Sequence, residues 1–285
     1  MTQRALNRAP FALVLAAALA ASFAGSTAGA RAGDDGYGTD AGMAPAAVPV
    51  VARIAVVDGQ VGIKRGDAGE QTAAAMNAPL MAGDYLTTGA DGRVEVQLDA
   101  NTIVRVGADS QLRFTKLDGQ SDVAQLAQGT MELRVLASDQ DQVQVQTPSI
   151  NVEPSQPGAY LITVTHDGNT ELTARSGSLA VVTPQGTQDV DPGRTMLIAG
   201  TASNPQYQYE DEVALTGLEQ WGDQRDQQML AAQNTDAQYL GSDVAGAGDL
   251  NADGQWVDIP GYGNAWVPSD VRSNWTPYSD GTWTN

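Results

Sequence analysis

Between residues 51 and 200, apolar and polar side chains alternate in short runs. In residues 93–98, Val94, Val96 and Leu98 fall on one side, and Arg93, Glu95 and Gln97 on the other. A period of two is that of a β-strand, and a single apolar side predicts a half-buried strand with one wet face. The alternation returns at Val104 and Val106 around Arg105, and at Leu112 and Phe114 around Arg113. It returns again at Met131, Leu133 and Val135 between Glu132 and Arg134. Val143/Val145, Ile150/Val152 and Tyr160/Ile162/Val164 continue it, and Leu172 and Leu179 begin two more runs. Turn pairs separate them, among them Asp58-Gly59, Asp91-Gly92, Asp118-Gly119, Asp167-Gly168 and Pro192-Gly193. Short strands at this spacing, with no helical period between them, predict the all-β class. A short-strand sandwich and a solenoid satisfy the same alternation.

The pattern changes after residue 205. From 210 to about 232, Ala214, Leu218, Trp221 and Met229 follow at four, three and eight residues. That predicts a short helix within a connector at 205–240, with Asp and Gln on a solvated face and Gly217 and Gly222 weakening it. Residues 250–285 then predict a small aromatic β tail. Trp256, Trp266, Trp275 and Trp283 alternate with Pro260, Pro268 and Pro277, and Tyr262 and Tyr278 add rings. Rings of this kind either form the core of a small unit or offer a stacking platform. These six aromatics are the candidate binding residues.

The N-terminus reads as an address. Arg4 and Arg8 precede an apolar run at 11–21, and Ala28-Gly29-Ala30 and Ala30-Arg31-Ala32 are small-residue cleavage sites. Residues 1–32 are expected to be a secretory signal peptide, and 33–51, rich in Gly, Ala, Asp and Pro, a flexible linker. A periplasmic or secreted protein follows, with no stable membrane span once the signal is removed. The composition agrees: there is no Cys, so export demands no oxidative folding. The net charge of −19 argues against nucleic acid or anionic lipid as partner.

The succession Leu80, Gly83, Asp84, Thr88, Gly89 and Gly92, with the strands after it, resembles the opening of a FecR domain. LAQGTMELRV, VQVQTPSINV, GAYLITVTHDGNTELTARSGSLAVV and VDPGRTMLI are similar to its later segments. The resemblance spans most of 52–200. It implies an extracytoplasmic β-rich domain; the name-giving members sense ferric citrate uptake and control a sigma factor. Here a signal peptide stands where those regulators carry a cytoplasmic segment and a membrane helix. The tail resembles a Trp/Pro-rich domain of unknown function that often follows FecR domains in exported proteins. Trp256, Tyr262, Gly263, Trp266, Pro268, Trp275, Pro277, Tyr278, Gly281 and Trp283 carry that likeness.

Other chemistry is thin. The one histidine, His166, sits at a predicted turn, and no G-x-S-x-G elbow or phosphate loop accompanies it. Asp249, Asn251 and Asp253 match the first half of a calcium loop, but Pro260 stands at its twelfth position, so a polar turn is the stronger expectation. Arg65-Gly66-Asp67 reads as an ordinary turn. No carboxylate pair suggests a glycosidase. The expectation is therefore a non-enzymatic binding or scaffold protein of the bacterial envelope, without cofactor. Its partner is an envelope protein or a glycan. The alternatives are a sensor of the ferric-citrate type acting through a membrane partner, and a cell-wall or surface glycan-binding module.

Overall fold

The computed structural model describes residues 51–67, 69–137, 142–236, 239–240, 244, 246–272, 274 and 276. The expected signal peptide and nearly all of the expected linker lie outside these residues.

Asp-Gly and related pairs turn the chain back where the alternation breaks. At Gly59 φ is +67°, and a Cβ there would lie 2.1 Å from the Asp91 carbonyl oxygen, so only glycine fits. The strands between such turns form two layers. The first contains β1 (Ala52–Asp58), β4 (Pro79–Leu80), β6 (Arg93–Gln97), β7 (Thr102–Val106), β12 (Gly158–Val164), β13 (Thr170–Ser176), β16 (Arg194–Thr201) and β17 (Asn204–Asp211). The second contains β2 (Val61–Lys64), β3 (Gln71–Ala73), β5 (Tyr85–Thr88), β8 (Gln111–Lys116), β10 (Gln142–Gln146), β11 (Asn151–Pro154), β14 (Leu179–Thr183) and β15 (Gly186–Val190).

The 15-residue β9 (Ser121–Val135) belongs to both. Its first part pairs with β8, and in parallel with β10, in the second layer. Its last seven residues pair antiparallel with β12, and Met131 to Val135 also pair with β7, in the first layer. Inward side chains of the two layers meet in one core. Val94, Val104, Leu133, Ile162, Leu172 and Met196 come from the first layer; Leu86, Leu112, Phe114, Leu126, Val152 and Val181 come from the second. Two layers over a shared core are a sandwich-like all-β architecture. Each such side chain contributes roughly 1.5–3 kcal/mol by leaving water.

Two expectations are corrected. The helix does not begin near 210. Residues 204–211 alternate Tyr207 and Tyr209 with Gln206, Gln208 and Glu210, and pair along their whole length with β16. Helix α1 runs Gly217–Asp236. Its start is set by Thr216 and Glu219: the Glu219 carboxylate accepts the Thr216 N–H at 2.8 Å, and the Thr216 hydroxyl accepts the Glu219 N–H at 3.3 Å. This reciprocal capping box satisfies donors that a helix terminus otherwise leaves open.

The second correction concerns the wet face. Glu95 and Arg105 are 0% exposed, Glu132 3% and Gln97 4%, although all four lie on the polar side of their strands. Helix α1 covers that side. Its inward residues, Leu218, Glu219, Gly222, Arg225, Asp226, Met229 and Ala232, recur at three- and four-residue spacing but are mixed apolar and charged. Counting only apolar residues therefore hid the face on which the helix packs.

Helix α2 (Ala247–Asp253) packs on α1, and a two-stranded hairpin follows, β18 (Gly254–Ile259) and β19 (Gly263–Pro268). No helix among the described residues is long and apolar enough to cross a membrane.

Candidate functional site

The hairpin places the candidate aromatics unequally. Trp256 and Trp266 are direct cross-strand partners. Trp256 stacks on Tyr239 with ring centroids 4.6 Å apart, and the Trp266 indole N–H donates to the Leu250 carbonyl at 3.1 Å. Both rings are half-buried: Trp266 packs the hairpin against α2, and Trp256 packs it against Tyr239. Tyr262 lies at the turn, between Gly261 (φ +84°) and Gly263 (φ +82°), and is 90% exposed. On the face opposite the tryptophans, Ile259 and Val267 are exposed beside half-buried Val257 and Ala265. Trp275, Tyr278 and Trp283 lie outside the described residues.

The calcium-loop residues are helical rather than looped, since α2 holds all three. The Asp249 carboxylate pairs with Arg53 and, at 3.4 Å, with Arg225. The Asn251 amide donates to the Ala232 carbonyl at 3.1 Å. Asp249 thus ties the C-terminal segment to the sheet. Among the described residues no acidic or His group forms a metal-binding cluster. His166 is exposed at its turn, as expected.

The signature residues of the β domain are structural. Buried Asp84 accepts the Met81 N–H at 2.9 Å and pairs with Arg65. The Thr88 hydroxyl bridges two strand ends, donating to Gly107 and accepting the Ser110 N–H at 2.9 Å.

An ion network joins the sheet to α1, and no sequence motif announced it. Arg105 on β7 meets three carboxylates: Glu95 at 2.9 Å, Glu132 at 3.4 Å and Asp226 of α1. Glu95 has a second guanidinium in Arg225 at 2.9 Å, and Asp226 has one in Arg134 at 2.8 Å. Arg175 on β13 holds the capping carboxylate of Glu219 at 2.7 Å and Glu212 at 3.1 Å. The backbone of α1 approaches closely because residue 222 is glycine. A Cβ there would lie 2.2 Å from Glu132 Oε2 and 2.8 Å from Arg105 Nη1.

The charges respond to this setting. Burial by itself lowers the basicity of Arg105, but Glu132, Glu95 and Asp226 more than reverse it, so the guanidinium stays charged. Burial raises Glu132 to about 7 despite the pull of Arg105. Burial also works to raise Glu219, but hydrogen bonds from Arg175 and Thr216 outweigh it and hold that carboxyl below its ordinary value. Beside the network a cavity of about 470 Å³ is lined by Glu132, Arg134, Arg175, Glu219, Asp223 and Asp226, among others.

Residues 84–186 match the family described as FecR protein, and residues 247–285 match the Family of unknown function (DUF6600). The chain therefore carries a FecR domain followed by a DUF6600 segment. Two crystal structures of a candidate anti-sigma factor from Parabacteroides distasonis are similar. One is 15% identical with a TM-score of 0.40, the other 16% identical with a TM-score of 0.39. Each match covers 53% of this chain and 64% of the other, so this chain spans somewhat under two thirds of that protein's length. No curated protein matches.

Proposed function

We propose that the protein is a non-enzymatic, exported FecR-domain protein of the bacterial envelope, which recognises a protein partner through its C-terminal hairpin. The FecR match over 84–186 carries the envelope regulator or sensor part of this reading. The hairpin carries the binding part, because its tip presents Tyr262 nine-tenths exposed on a short turn. An amphipathic ring at such a position suits a contact hot spot. A glycan platform asks for several exposed rings, and among the described tail aromatics Trp256 and Trp266 are engaged in packing while Tyr262 is exposed. That favours a protein partner.

The test is site-specific photocrosslinking in cells, with the reactive amino acid at position 262. The control position is 76, where Met76 is 64% exposed on the β domain. One reproducible envelope protein captured from 262 and not from 76, displaced by excess wild-type protein but not by excess Tyr262→Ala protein, is the expected result. Equal capture at the two positions, or none at 262, overturns the hairpin assignment.

A further inference from the structure

The seat of α1 is asymmetric in a way that matters. Three carboxylates surround Arg105, and two of them have a second guanidinium, Arg225 for Glu95 and Arg134 for Asp226. Glu132 has only a share of Arg105, at the longest distance of the three, 3.4 Å. Its side chain is 4% exposed, and Gly222 of α1 rests on its carboxylate. A buried carboxylate with so small a share of positive charge is costly when ionised. The groups facing it add little relief. Glu219, Asp223 and Asp226 approach from α1 and Glu95 from β6; Arg105 and Glu212 stand on β7 and beyond β17. Arg134 and Arg175, on β9 and β13, are committed to Asp226 and to Glu219 with Glu212. The adjoining cavity gives water a route to the carboxyl.

We propose that Glu132 is a protonation-controlled latch: protonated, it seats helix α1 on the FecR sheet, and ionised, it loosens α1 together with α2 and the hairpin. The latch goes beyond the binding reading and stands or falls independently of it. The direction follows from the environment. Burial raises the folded-state value of Glu132 to about 7 from the ordinary 4.5. The seated form therefore holds the proton more tightly than the open form. Seating is complete on the acid side of that window and weakens as pH rises through it, levelling off above neutrality. Between pH 5.5 and 8 the opening equilibrium of α1 should rise roughly 30-fold.

Hydrogen–deuterium exchange of the full chain, corrected for intrinsic pH dependence, reads this directly. The expected result is faster exchange of α1 amides at pH 8 than at pH 5.5, with β12 and β13 unchanged. Glu132→Gln should hold α1 equally protected at both values. A flat wild-type response, or an undiminished rise in Glu132→Gln, overturns the latch. Should that variant fail to fold, carbon-detected NMR of the wild-type Glu132 carboxyl decides: a midpoint near neutrality supports the proposal, and one at ordinary glutamate values ends it.

Discussion

The first β layer has two covered faces, and they are held by different physics. Its inner face meets the second layer through Val94, Val104, Leu133, Ile162 and their neighbours, a continuous apolar core. Its outer face meets α1 through Arg105, Glu95, Glu132, Asp226, Arg134 and Arg225. Apolar contact is non-directional and tolerates small shifts, while a buried ion network returns its desolvation cost only in one geometry. The inner face therefore supplies bulk stability. The outer face fixes where α1 sits and leaves that contact sensitive to the loss of Arg105, Glu95, Asp226, Arg134 or Arg225.

The largest expected effect tests this division directly. Arg105→Ala leaves Glu95, Glu132 and Asp226 short of their shared cation and should cost about 3–5 kcal/mol. Leu133→Ala, on the same layer's inner face, should cost about 2–5 kcal/mol through its cavity. Residue-resolved hydrogen exchange separates them: the first should unprotect α1 while the strands keep their protection, the second should lower the strands themselves. Simultaneous collapse of strands and helix in Arg105→Ala would show that the two faces are one cooperative unit.

A smaller effect is expected from Gly222→Ala. Alanine is the better helix former by about 1 kcal/mol, but the new methyl overlaps a buried carboxylate, and such overpacking costs about 1–3 kcal/mol. Net destabilisation in a denaturant titration is expected; net stabilisation would mean that the helix can lift from its seat at little cost. The smallest is Thr216→Ala, which removes half of the capping box for about 1 kcal/mol. It should fray the start of α1 in exchange measurements without affecting α2.

Strands were legible wherever one face is apolar. Val94, Val96, Met131, Leu133, Tyr160 and Ile162 all point into the core that their alternation implied. The opposite face was misjudged because alternation records polarity, not exposure, and Glu95 and Arg105 read as wet although a helix lies over them. The Thr216–Glu219 spacing is the sequence signal for the helix start, and apolar periodicity alone does not carry it. Of the candidate site, Tyr262 is presented to solvent, while Trp256 and Trp266 pack. Which rings pack depended on Tyr239 and Leu250, and no spacing within the tail reveals that contact.

Strand β9 has a consequence for how the chain is made. The eight strands before it pair only with one another and with β9, and β10 to β17 after it do likewise. Among the described residues, β9 is thus the single seam in the hydrogen-bonded fabric. The first half can complete its ladders once β9 has been added to the growing chain. The second half then grows outward from an edge already formed, so neither has to search the full chain for its partners. Long-range closure, which makes β-rich proteins slow to fold, is divided into two shorter searches. Helix α1, synthesised last of these parts, lies across the seam, gripping Arg105 from the early half and Arg175 from the late one.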